Sequence, residues 1–226
     1  MKNVIITGCS RGIGFELIKI FNTNNFNVIA LSRNNKSISD LNLKNVKSYY
    51  VDISSQKSIT ETLSALSKNI KKVDILINNA GALINKPFSQ TSFKDFQSVY
   101  NVNVFGLAEL IRQLLPYFIK KSHIINISSI GGIGGSSKFP GLSAYSSSKG
   151  ALNILTEMLA EEFKESEICF NTLALGAVQT EMLEEAFPGY KANISSFEMA
   201  NFIYKFSLEG NTFFNGKTIP VSTTNP

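Results

Sequence analysis

Histidine and cysteine are scarce in this 226-residue chain, which has one His and two Cys. Cys9 and Cys169 have neither a metal-ligand spacing nor a disulfide framework around them. A zinc site is therefore not expected, and both thiols are expected to be reduced. His123 opens the apolar run HIINIS (123–128) and reads as a structural residue. No apolar run approaches the ~18 residues of a membrane span, so no membrane partner is expected. The first strand pattern begins by residue 3, which leaves no room for a signal peptide and makes a cytoplasmic location the expectation. No internal repeat and no Pro/Ser-rich linker divides the chain, so residues 1–226 are expected to form one domain. The basic excess is small and scattered, 22 Lys and Arg against 17 Asp and Glu for a net +5. Lysine pairs at 71–72 and 120–121 are expected at helix ends, where cations favour the dipole. No nucleic-acid partner is expected from charge of this kind.

What the chain does contain is a regular alternation. Strand-like apolar runs fall at 4–7, 28–32, 48–51, 73–78, 123–128, 168–175 and 217–221. Helical patterns lie between them, at about 12–24, 36–42, 55–70, 92–119, 145–165 and 196–207. Continuous rather than alternating hydrophobicity suits strands covered on both faces. Strand–helix alternation predicts right-handed crossovers in one doubly wound, mostly parallel α/β sheet.

Two segments carry chemistry. In TGCSRGIG, Gly8, Gly12 and Gly14 allow a tight turn between the first strand and the first helix, and the free amides of that helix then face a pyrophosphate. An ordinary strand–helix turn is the plainer alternative. The second strand ends in Ser32-Arg33, with none of the carboxylate that would bond a ribose 2′-hydroxyl and repel a 2′-phosphate. Arg33 and Arg11 suit a phosphate by charge and fork geometry, which predicts NADP(H) over NAD(H). As its alternative role, Arg33 is a surface cation. Asp52 either accepts from an adenine amino group or caps the next helix. In NNAG (78–81) the two Asn amides can tie strand ends, and Ala80-Gly81 keep the wall thin. Tyr145 and Lys149, four residues apart in YSSSK, put a phenol and an ammonium on one helix face.

TGCSRGIG, VDIS, NNAG, NVNVFG, INISS, YSSSK and NTLALGAVQT occur in this order along nearly the whole chain. As a set they resemble the short-chain dehydrogenase/reductase family. The resemblance implies a single-domain Rossmann fold with a central seven-stranded parallel sheet. It implies catalytic positions at Asn103, Ser129, Tyr145 and Lys149. It also implies cofactor contacts at Gly8, Ser10, Arg11, Gly12, Ile13, Gly14, Arg33, Asp52, Ile53, Asn79, Ala80, Gly81, Tyr145, Lys149, Gly176, Val178 and Thr180. The chemistry is consistent with those roles. Carbonyl reduction needs a hydride from a nicotinamide and a proton for the developing alkoxide, which Tyr145 can supply. A free phenol ionises near pH 10, and Lys149 is expected to favour the phenolate by charge. Ser129 can polarise the substrate oxygen, and Asn103 is expected to hold a water behind Lys149. Ser128 is a substitute for Ser129. Where relatives commonly have Pro-Gly after the sixth strand, this chain has Leu175-Gly176, and KTIPVSTTNP lacks a Gly-Gly often found there.

Residues 180–195 are expected to form a substrate lid. Met182, Leu183, Phe187 and Tyr190, with Phe139 and Leu142 from the glycine-rich segment 128–141, would face an apolar carbonyl or alcohol substrate or simply pack the lid. Segments 131–142 and 180–195 are expected to be mobile until ligands bind. The helices at 92–119 and 145–165 carry broad apolar faces: Val99, Val102, Leu107, Leu110, Ile111 and Leu114 on one, Leu152, Leu155, Met158, Leu159 and Phe163 on the other. A second apolar stripe would be left for a partner subunit, so a homodimer or homotetramer is expected. The competing function is a non-catalytic dinucleotide-binding regulator of the same fold.

Overall fold

The computed structural model describes residues 1–223; the last three residues of KTIPVSTTNP lie outside that range. The strands are β1 (Asn3–Thr7), β2 (Asn27–Ser32), β3 (Val46–Tyr50), β4 (Val73–Asn78), β5 (Phe118–Ser129), β6 (Cys169–Leu175) and β7 (Lys217–Val221). They form one seven-stranded sheet in the order β3-β2-β1-β4-β5-β6-β7, with every pairing parallel. The expected doubly wound Rossmann architecture is what the chain adopts. The strand order reverses between β1 and β4, and a crevice opens there outside the carboxyl ends of the strands.

Helices cover both faces, which is why the central strands are apolar on both sides except at a few buried polar positions such as Asn78, Asn126 and Thr172. On one face α1 (Gly12–Thr23) and α8 (Ser196–Phe213) share a core with Ile6, Ile77 and Leu173. Phe21 anchors it, edge-on to Phe26 and Tyr204 at ring separations of 5.0 and 4.9 Å. On the other face α3 (Gln56–Ser67), α5 (Leu107–Leu114) and α6 (Ser143–Glu162) bury Ile59, Leu110 and Leu152 against Ile5, Leu76 and Ile124. The short helix α2 (Lys36–Ser39) follows β2. Another, α7 (Glu181–Ala186), lies beyond β6.

Two expectations change. The pattern at 92–119 is not one helix. It divides into α4 (Phe93–Tyr100), a π-helical turn at Asn101–Gly106, α5, and a 3₁₀ turn at Leu115–Tyr117. Ser92 starts α4 with a capping box to Asp95. Pro116 ends the run, since it lacks the N–H for the next α-helical bond. Lys120 and Lys121 accordingly lie in β5 rather than at a helix end. Lys121 takes a left-handed φ of 67°, and Lys120 pairs with Glu167 at 2.7 Å. Of the broad apolar faces expected on these two patterns, the larger part covers the sheet: Val99, Leu107, Leu110, Ile111, Leu114 and Leu152 are buried, while Phe93, Phe105, Ile154 and Met158 are among the exposed apolar side chains.

Candidate active site

The glycine turn is built by close approach. Gly8 sits at φ +71°, and a Cβ there would lie 2.8 Å from the Ala80 Cα. Gly14 is tighter still: a Cβ would lie 2.3 Å from the Gly8 carbonyl oxygen. Gly14 therefore locks α1 against the turn and does not line the cavity, unlike the contact expected for it. Arg11 gives α1 no side-chain cap, so the first amides of the helix remain available to an anion. Asn79 donates to the carbonyls of Thr7 and Gly8, both at 3.0 Å, and the Ala80 N–H donates to the Thr7 hydroxyl at 2.9 Å. Asn78 bonds Asn126 of β5 at 2.8 Å. NNAG thus ties β4 to both neighbouring strand ends, as its two amides suggested.

A cavity of about 620 Å³ runs along this edge. It brings together Gly8, Ser10, Arg11, Gly12, Ile13, Arg33, Asp52, Ile53, Asn79, Ala80, Gly81, Ser129, Tyr145, Lys149, Gly176, Val178 and Thr180. The expected lid residues Met182, Leu183, Phe187 and Tyr190 close one end with Phe139 and Leu142. Leu31, Val51, Ile127 and Ala177 also line it. The last three fall within VDIS, INISS and NTLALGAVQT but were not named as contacts, and Leu31 has only its position near the carboxyl end of β2 to mark it. Asp52 does not cap α3 directly. Its Oδ1 accepts from the Ser54 N–H at 2.9 Å, while Ser55 is the N-cap, accepting from Ser58 N–H.

At the floor, Tyr145 and Ser129 line the cavity together, and the Ser129 hydroxyl favours the phenolate. Ser128 also lines the cavity, but its hydroxyl donates to the Lys149 carbonyl at 3.3 Å. Lys149 is buried, 5.7 Å from the centre of the Tyr145 ring, and its Nζ donates to the Ile127 carbonyl at 2.8 Å. Burial lowers the Lys149 ammonium to about 8. Burial also pushes the Tyr145 phenol up, and the Ser129 hydroxyl opposes that. In the protein alone, then, desolvation works against the phenolate that the sequence reasoning expected.

Asn103 is fully buried and does not line the cavity. Its Oδ1 accepts from Ala82 N–H at 2.8 Å; its Nδ2 donates to Ala82 O and to Ser148 Oγ, each at 2.9 Å. The side-chain amide thus joins α6 to the loop after β4, beside Gly81.

The phosphate side holds two guanidinium groups in different states. Arg33 is exposed and has no carboxylate partner among the described residues. Arg11 grips Glu185 of α7 through both nitrogens, with Nη2 to Oε2 at 3.0 Å. His123 stands outside the cavity, where its Nδ1 bonds the Ser207 carbonyl at 3.2 Å and its Nε2 meets the Asn171 amide at 3.1 Å. That pairing assigns the Nδ1–H tautomer, because a carbonyl can only accept. Among the described residues no group of three His, Cys, Asp or Glu could hold a metal, and no helix is long and apolar enough to cross a membrane.

A cradle of open amides, a thin wall and a long crevice fit a dinucleotide, and the comparisons with known proteins agree. The sequence profile described as "short chain dehydrogenase" matches residues 2–191. A fatty acyl-CoA reductase of Acinetobacter baylyi is 29% identical, over 80% of this chain and 64% of its own length. The chain thus spans under two thirds of that relative. An NADP-dependent 3-hydroxy acid dehydrogenase of Schizosaccharomyces pombe is 31% identical over 91% of this chain and 80% of its own length. The structure of a 4-hydroxyisoleucine dehydrogenase complexed with NADH superposes with a TM-score of 0.88 at 27% identity, covering 98% of this chain and 97% of that one. The chain belongs to the short-chain dehydrogenase family, a family of oxidoreductases that use a nicotinamide cofactor.

Proposed function

We propose that the protein is an NADP(H)-dependent oxidoreductase that interconverts a carbonyl compound and its alcohol, with Tyr145 as general acid and base. The observation that carries this reading is that Ser129, Tyr145 and Lys149 line one cavity with the glycine turn, the Lys149 ammonium 5.7 Å from the centre of the Tyr145 ring. When bound, a nicotinamide supplies the hydride for reduction or accepts it in the reverse direction. Tyr145 gives its proton to the developing alkoxide and takes it back during oxidation. Ser129 donates a hydrogen bond to the same oxygen and polarises the carbonyl. Lys149, at about 8, is mostly protonated at neutral pH, and its charge offsets part of the desolvation that opposes the phenolate. Asn103 is a positioning residue: it fixes α6, and so Tyr145 and Lys149, relative to Ala82.

Arg33 supports the preference for NADP(H), since it offers an unpaired guanidinium where a carboxylate would select NAD(H). Phe139, Leu142, Met182, Phe187 and Tyr190 favour an uncharged, apolar substrate beneath a lid at 180–195. Phe105, Ile154 and Met158 form the outward apolar surface that a homodimer or homotetramer would cover. The reading includes a single functional domain over 1–226 acting in the cytoplasm.

A panel of neutral ketones and aldehydes, followed by loss of NADPH absorbance, tests the activity. At least one is expected to turn over, and Tyr145→Phe is expected to abolish that turnover while leaving NADPH binding nearly intact. Wild-type protein that binds NADPH but reduces nothing would favour the regulator. A Tyr145→Phe variant retaining more than a few per cent of the rate would remove Tyr145 from the mechanism.

A further inference from the structure

Arg11 stands between the lid helix and the glycine turn. Its guanidinium lies beside the glycine turn, in the cavity that also takes in Arg33. Yet it is held bidentately by Glu185, a residue 174 positions away on the lid helix. That helix, EMLEEA, has three carboxylates and no cation. Glu181 and Glu184 line the groove beside Arg11, and the Glu181 Oε2 lies 3.5 Å from where a Gly12 Cβ would stand. The Arg11 and Glu185 side chains are 47% and 61% exposed, so solvent screens the pair and it opens at little cost. A phosphate ester carries more charge and more acceptor oxygens than a carboxylate, and it takes the same fork.

We infer that Glu185 sets cofactor specificity by competing with the 2′-phosphate for Arg11, so that Arg11 releases α7 when NADP(H) is bound and keeps it latched when NAD(H) is bound. The inference rests on the NADP(H) reading above and assigns it a counterweight on the lid. Arg33 attracts the phosphate without competition, whereas Arg11 must first leave Glu185. By linkage, the factor by which the latch weakens NADP(H) binding equals the factor by which NADP(H) loosens the latch. NAD(H), lacking the phosphate, has no such differential contact and leaves the latch alone.

The chain has no tryptophan, so fluorescence of the reduced nicotinamide can be titrated directly at low ionic strength. NADPH and NADH are titrated into wild type, Arg33→Ala, Glu185→Gln, Arg11→Met and the Arg11→Met/Glu185→Gln double variant. Glu185→Gln is expected to tighten NADPH by about three- to tenfold and to move NADH by less than about twofold, and its effect should vanish in the Arg11→Met background. Hydrogen exchange in α7 should accelerate when NADP⁺ alone, without substrate, is added to wild type, should not change with NAD⁺ alone, and should be insensitive to either in Glu185→Gln. If Arg33→Ala weakens NADPH while Glu185→Gln leaves the NADPH-to-NADH ratio unchanged, the latch is wrong and the cofactor reading survives. If wild type binds both cofactors equally and Arg33→Ala changes neither, the cofactor reading fails and the latch falls with it.

Discussion

At the scale of single residues, the site separates groups that act by charge from groups that act by position. Arg33 is proposed to act by charge. It is exposed, has no carboxylate partner, and stands where the chain leaves β2. Arg33→Ala is therefore expected to weaken NADPH by roughly 10- to 100-fold, or about 1.5–3 kcal/mol, with little change for NADH. Parallel titrations of the two cofactors measure this; equal losses for both would assign Arg33 to the general field rather than to the phosphate. Gly14 and Asn103 act by position. Both stood in motifs that were legible in the sequence, and neither faces the cavity. A motif records that a residue type is needed, while only the fold shows which neighbour needs it. Gly14 is a glycine because the Gly8 carbonyl lies against it.

At the scale of elements, α6 carries Tyr145 and Lys149 and must not slide on the sheet. A buried polar relay holds it. Asn78 donates to Asn126 at 2.8 Å, Asn126 to Thr156 at 2.9 Å, and Thr172 to Thr156 at 2.8 Å. Thr156→Val keeps the shape but leaves the Asn126 and Thr172 donors without that acceptor. Destabilisation of about 1–3 kcal/mol is expected in denaturant unfolding. A cost near zero would show that the relay adds nothing to the packing of α6. The lid elements differ from this. Segment 180–195 is tied at its base, where Gln179 pairs with Ser195, and by the Asn85 amide to the Ala186 carbonyl at 2.8 Å. Segment 131–142 is held to the same place by the Lys86 N–H, which donates to Gly141 O at 2.9 Å. Neither segment joins the strand ladder, and the bonds of Ser136 and Lys138 in 131–142 stay within residues 130–138. Hydrogen exchange is expected to show fast amides in both without ligand and slower ones once cofactor and substrate are bound. Protection equal to that of β4 or β5 before any ligand is added would place substrate entry elsewhere.

At the scale of the whole molecule, the lone histidine couples stability to pH. Burial lowers His123 from 6.5 to about 4, and a bond to Ser207 only partly opposes this. The folded protein keeps it neutral, so the unfolded chain binds the extra proton as pH falls below 6.5. Stability is present in full above that value and is lost progressively down to about 4. A loss of roughly 3 kcal/mol is expected across the window from this residue alone. Unfolding free energies of wild type and His123→Asn between pH 7 and 4 check this; parallel curves for the two proteins would clear His123 of the effect. The sequence by itself determined the sheet, its alternation with helices, the family and most of the cavity wall. These depend on local patterns: apolar runs of strand length, glycines at strand ends, and a four-residue spacing on a helix. The tertiary structure alone decided which apolar faces the sheet would cover, that Ser129 rather than Ser128 meets Tyr145, and that Glu185 reaches Arg11. Each of those pairs residues or surfaces that no local period relates. Strand pleat, helix packing and the return of the chain over the crevice set their distances, and those are fixed only when the whole chain has folded.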